Sequence, residues 1–263
     1  MVQVFTDQTG RTVSIAWPPR RIISLVPSQT ELLYDLGLKD EMVGQTLFCI
    51  HPDWAHQAKE RVGGTKKLNL EKIRALQPDL IIGNKEENER SQIETLAEEF
   101  PVWLSDITNL NGALNMMQQI GELVNRKTEA KQIIDQVSGK FEALKSGEAS
   151  KKVAYFIWHN PWMAAGHDTF INDMLIRCGW TNVFLHEISR YPEISDAAFK
   201  NTEAEIILLS SEPFPFKEKH QNAVQLLLPN AQVLLVDGEL FSWYGSRLLK
   251  SVDYFQKLKS SLR

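Results

Sequence analysis

Cysteine is nearly absent: Cys49 and Cys178 are the only two in 263 residues, and they form no C-x-x-C pair. That excludes a disulfide-framed scaffold and a closed thiolate zinc site. The two fall in different halves of the chain and read as free thiols, either buried or lining a site. Long apolar runs are missing too, and none approaches the roughly 18 residues of a membrane span. The start, MVQVFTDQTGRTVSIAWPPR, has no basic stretch followed by an apolar one, so no signal peptide is visible. Two locations stay open: periplasm or cell surface if a leader was trimmed, cytoplasm if this is the natural start. Excess positive charge is also lacking. With 29 basic against 33 acidic residues, a net charge of −4 excludes a broad nucleic-acid surface. Catalytic signatures are absent as well: no G-x-S-x-G elbow, no Walker loop, no G-x-G-x-x-G, and no spacing that singles out a Ser-His-Asp set. The expectation is a binding protein rather than an enzyme, with no intrinsic cofactor.

What is present is alternation of strands and helices. A chain of this length, 43% hydrophobic and 24% charged, has material for two modest cores. RIISLV (Arg21 to Val26) reads as a buried parallel strand. Ser28-Gln29-Thr30-Glu31 follows as a capping box, then Leu32, Leu33 and Leu36 as a buried helical face ending at Gly37. NLEKIRALQPDLIIGN repeats the logic: Asn69 caps, Leu70, Ile73 and Leu76 face inward, Pro78 stops the helix, and Leu80 to Ile82 is a strand. Asn88 to Phe100 is a further helix and Val102 to Leu104 a further strand. After residue 150 the rhythm returns with KKVAYFIW, a helix over Thr169 to Arg177, strands at Glu205 to Leu209 and Val233 to Val236, and helices at Lys217 to Leu227 and Arg247 to Leu258. Between the halves, Leu110 to Leu144 keeps apolar residues at helical spacing without a proline, which predicts one helix about 50 Å long. The fold class is therefore α/β: two doubly wound α/β lobes (residues 1–109 and 148–263) joined by one long backbone helix over 110–147.

Candidate site residues cluster where strands should give way to loops. In Phe48-Cys49-Ile50-His51-Pro52, an extended backbone would turn Cys49 and His51 the same way, offering sulfur and imidazole to a metal. The alternative is a buried thiol beside a hydrogen-bonded histidine. Trp158, His159 and Trp162 follow the first strand of the second lobe, and Glu86, with Glu87 beside it, follows Leu80 to Ile82. Phe214 sits in the stiff Ser211 to Phe216 loop, either as satellite core or as an apolar patch awaiting a partner. Phe241, Trp243, Tyr244 and Arg247 combine planar aromatic surface with a guanidinium, suited to a flat conjugated ligand bearing amides or carboxylates.

FTDQTGRTV, RIISLVPSQTELLYDLGL, NLEKIRALQPDLIIG and the mid-chain helix, in that order, resemble the substrate-binding proteins of ABC importers for cobalamin, ferric siderophores and haem, the helical-backbone class. The resemblance covers nearly the whole chain. It implies a shallow cleft between two lobes that takes a bulky metal chelate, a corrinoid or an iron complex, and a monomer that docks on an ABC permease. Phe48, Tyr191 and the Phe241-Trp243-Tyr244 group fall at cleft aromatics of the cobalamin-binding members, whereas Thr65 and Asn84 stand where those present tryptophans. Acidic docking positions fall at Glu71 and near Asp196. Two rival readings remain: a cytoplasmic corrinoid or metal-complex receptor without transport, and an enzyme using Cys49 or His51 on a bound cofactor.

Overall fold

The computed structural model describes residues 1–144 and 150–262. The expected boundary at 147/148 lies outside the described residues. The chain divides into two compact units: Met1–Ile107 with Asn111–Val137 and Tyr244–Arg247, and Thr108–Leu110 with Ser138–Trp243 and Leu248–Arg263.

The first unit opens with a hairpin of β1 (Val2–Thr6) and β2 (Thr12–Ala16). Its turn is organised by buried Asp7, which accepts from the Thr9 and Arg11 amides at 2.9 Å each. There follow β3 (Ile22–Ser24), α1 (Pro27–Asp35), β4 (Met42–Gln45), α2 (Asp53–Ala58), β5 (Glu60–Arg61), α3 (Leu70–Leu76), β6 (Leu80–Asn84), α4 (Arg90–Ala97) and β7 (Val102–Ser105). The sheet runs β5-β4-β3-β6-β7, parallel throughout. Every residue of β6 is buried, as expected of a strand covered on both faces. The order reverses direction between β3 and β6, and that switch point is where open α/β sheets leave a crevice. Asn69 caps α3 as the sequence predicts, accepting from the Lys72 amide.

The single helix predicted over Leu110 to Leu144 is instead two, α5 (Leu110–Leu123) and α6 (Lys127–Ala143). Asn125 adopts a left-handed φ of 57°. Its amide bonds Glu122 O at 3.3 Å while the Arg126 amide bonds Gly121 O at 2.7 Å, the paired contacts of a Schellman cap. Asparagine tolerates this conformation without a glycine. The helices then pack so closely that a Cβ on Gly121 would lie 2.3 Å from the Ala130 Cβ.

The second unit holds β8 (Lys152–Trp158), β9 (Trp162–Ala164), α7 (Phe170–Arg177), β10 (Thr181–Asn182), β11 (Glu193–Ile194), α8 (Asp196–Lys200), β12 (Ile206–Ser210), α9 (Glu218–Leu227), β13 (Gln232–Val236), α10 (Glu239–Ser242) and α11 (Leu248–Ser261). Its sheet runs β11-β9-β8-β12-β13, with β10 also on β8. β8, β12 and β13 are mutually parallel, and β9 and β11 add antiparallel pairs. The helix expected over Thr169 to Arg177 is present as α7, with Thr169 as its N-cap, accepting from the Asn172 amide. The α/β assignment with parallel sheets in two lobes therefore holds.

Gly121→Ala should destabilise the protein by about 1–3 kcal/mol through overpacking. Gly139→Ala in α6, where a Cβ meets nothing within 4 Å, should stabilise it by about 0.5–1 kcal/mol. Paired urea melts of the two variants check both signs.

Candidate functional site

The loop after β4 sorts its side chains by direction. Leu47, Phe48 and Ile50 are 46%, 58% and 41% exposed, while Cys49 among them is fully buried. The expected pairing of Cys49 with His51 fails for a local reason: the backbone turns rather than extends, with Cys49 N on Thr46 O at 3.2 Å and Ile50 N on Phe48 O at 2.9 Å. Cys49 Sγ lies 3.0 Å from Thr30 Oγ1 and 3.1 Å from Thr46 Oγ1. Burial pushes the thiol up to about 11, so it stays protonated and is neither a ready metal ligand nor a reactive nucleophile. Among the described residues no group of three or more His, Cys, Asp or Glu side chains could hold a metal ion. His51 is half-buried beside exposed Ile50. Phe48 packs over Gly64, where a Cβ would come within 3.2 Å of the ring.

At the β3/β6 switch point the loop after β6 is fixed from within. Buried Asn84 donates to Ser105 Oγ at 3.0 Å and accepts from the Glu86 and Glu87 amides at 2.8 and 2.9 Å. The helix expected from Asn88 starts later, as α4 with Glu89 at its N-cap; Asn88 Oδ1 accepts from Asn84 N, and its Nδ2 donates to Leu25 O and Thr65 O. Glu86 is exposed and Glu87 half-buried. The segment Tyr244–Arg247 belongs to this unit. Its turn needs Gly245, at φ 145°, where a Cβ would stand 3.1 Å from Ser28 O. The Tyr244 hydroxyl donates to Glu87 Oε1. Arg247 donates to both oxygens of Glu31 at 2.7 and 2.9 Å, with both side chains buried. The predicted capping box at Ser28–Glu31 is thereby corrected: α1 begins at Pro27 with Val26 at its N-cap and no side-chain cap, and the Glu31 carboxylate serves Arg247. Tyr244 and Arg247 are 6% and 7% exposed, so they support the switch point rather than present open surface.

The second unit gathers rings at the ends of β8 and β12. Trp158 is 38% exposed, with Phe214 at 5.6 Å between centroids. Trp162 lies between Phe199 (4.4 Å, 10°) and Phe216 (6.1 Å, 8°), while His159 meets Trp162 edge-on at 4.5 Å and His220 at 5.6 Å. His220, three positions into the start of α9, accepts the Lys217 amide on Nδ1 at 2.9 Å. Burial first, then Lys219, His159 and Lys217, holds its pKa below the ordinary value. Glu212 receives Ser242 Oγ at 2.5 Å and Trp243 Nε1 at 3.0 Å, and burial raises its carboxyl. Trp243 is 7% exposed. Phe241 is a correction: it is fully buried against Tyr155 (5.1 Å) and Phe255 (4.7 Å) and belongs to the core. Tyr191 precedes Pro192, which pairs with Ala164 and so lies level with Phe156, mid-strand in β8 rather than at its end. Phe216 belongs to the stiff Ser211 to Phe216 loop that the sequence marks, whereas nothing in the sequence signals the place of Phe199 and His220 in this cluster.

Of the acidic docking candidates, Glu71 is 85% exposed on its side chain, in the first turn of α3, and contacts Arg74 at 2.5 Å. Asp196 is exposed at the start of α8.

A family model described as periplasmic binding protein matches residues 22–230. A vitamin B12-binding protein of Vibrio campbellii is 28% identical over 198 residues, 73% of this chain and 71% of that protein. A periplasmic vitamin B12-binding protein of Vibrio cholerae superposes at a TM-score of 0.74 with 20% identity, covering 93% of this chain and 99% of that one. A periplasmic haem-binding protein of Vibrio cholerae does so at 0.77 with 23% identity, covering 91% and 98%. At those identities the two structures share the fold.

Arg247→Ala should cost about 3–5 kcal/mol in chemical denaturation by stranding a buried carboxylate, and Glu31→Met/Arg247→Met should recover most of that loss. The His220 contribution is complete above an unfolded pKa of about 6.5 and is lost as pH falls toward the lower folded value. Thermal melts should thus show a larger drop in Tm from pH 7.5 to pH 5 for the wild type than for His220→Gln, which keeps an acceptor and does not titrate.

Proposed function

Because the chain belongs to the periplasmic binding protein family, we propose that it captures a metal chelate outside the cytoplasm and hands it to the permease of an ABC importer. The chelate is a corrinoid, with haem and ferric siderophores as the competing ligands. The observation that carries the reading is exposed apolar surface at strand ends in each unit: Leu47, Phe48 and Ile50 in one, Trp158 beside Phe214 in the other. Binding proteins place planar, weakly polar ligands on such surfaces, since ring stacking adds to area burial. The relative named for vitamin B12 supports a corrinoid over the other two. His51 and His159 stand beside those residues in sequence, and with Glu86 in the loop after β6 and Trp162 at the start of β9 they complete the proposed lining. Glu71 and Asp196 offer exposed carboxylates for permease arginines.

A visible-absorbance and calorimetric titration with cyanocobalamin, cobinamide, haem and two ferric siderophores tests the proposal. Submicromolar binding of one corrinoid is expected, weakened about tenfold or more by Phe48→Ala. Binding by none of the panel overturns it. Glu71→Lys should impair capture by permease vesicles while leaving chelate affinity unchanged.

A further inference from the structure

The switch point of the first unit carries one group that the aromatic surfaces do not explain. Glu87 sits on a loop whose geometry is set by two buried asparagines, Asn84 accepting its amide and Asn88 closing the other side onto Leu25 O and Thr65 O. The Tyr244 hydroxyl then fixes Glu87 Oε1. Tyr244 is buried, and burial and then the Glu87 carboxylate itself push its pKa well up, so the phenol remains the donor. The Arg247 guanidinium, three positions after Tyr244, is engaged by Glu31, and Lys66 Nζ donates to the Glu86 carbonyl at 2.6 Å. A half-buried carboxylate is thus held in one orientation at the place where open α/β sheets bind ligands, with Glu86 adding a second negative charge beside it.

We propose that Glu87, positioned by Tyr244, sets ligand specificity: it accepts a hydrogen bond from a donor on the chelate's periphery and repels peripheral carboxylates. The inference rests on the chelate-capture reading and narrows it to chelates edged with carboxamide or other N–H and O–H donors. A charge-assisted bond to a positioned carboxylate is about twice as strong as a neutral one, and a like charge at the same place works against binding.

Two probes with the same corrin ring isolate the effect: dicyanocobinamide, edged with carboxamides, and cobyrinic acid, edged with carboxylates. The wild type should prefer dicyanocobinamide by on the order of tenfold or more. Glu87→Gln, which keeps an acceptor for Tyr244, should reduce that preference several-fold, weakening the amide ligand and improving the acid. An unchanged preference in Glu87→Gln of unaltered Tm, or equal binding of both probes by the wild type, overturns the inference. So does parallel weakening of both probes, the result of a merely structural Glu87–Tyr244 contact. Failure of the wild type to bind either corrin, or any other chelate in the panel, is the distinct result that sinks the capture reading and this inference with it.

Discussion

Everything functional in this chain depends on the parallel register of its strands. Crossover connections bring each strand back in the same direction, so the carboxyl ends of β3, β4, β6 and β7 emerge on one side of their sheet, and those of β8, β12 and β13 on one side of theirs. Loops at that side are free to carry Phe48, Glu86, Trp158 or Phe214 because the hydrophobic strands beneath them already satisfy the fold. Buried β6 and β12 supply the rigidity, and the loops supply the chemistry.

Polar groups under those loops act as fasteners. Asn84 and Asn88 satisfy the backbone of the loop after β6, and Thr30 and Thr46 lie against Cys49. Arg247 and Glu31 form a buried bidentate pair across 216 positions of sequence. Such a pair adds little net stability over an apolar isostere, but it sets one register for the Tyr244–Arg247 segment because any slip strands two charges. That registry is what delivers the Tyr244 hydroxyl to Glu87.

Much of the fold was legible because it rests on local rules. Apolar runs marked the parallel strands, and Asn69 announced its helix as an N-cap. The break at Asn125 was not legible: a left-handed cap made by asparagine, amid polar residues that keep helical spacing, leaves no glycine or proline to mark it. The loop residues were legible in position and not in direction. Cys49 and His51 were expected to share a face in an extended loop, but two tight turns bury the thiol. Phe241 sits in the same aromatic run as Trp243, yet one ring fills the core while the other bonds Glu212. The partnership of Glu31 with Arg247 depends on tertiary structure alone, and so overrode a capping box that was locally sound.

The most direct test of the central claim is hydrogen exchange of the whole protein with and without saturating cyanocobalamin. Protection concentrated at residues 46–52, 84–88, 158–162 and 211–216, with the opposite strand ends unchanged, is the predicted result. Protection confined to the helical surfaces or to the amino ends of the strands would contradict the account, because the ligand would then lie away from the loops that parallel register places at the carboxyl ends of each sheet.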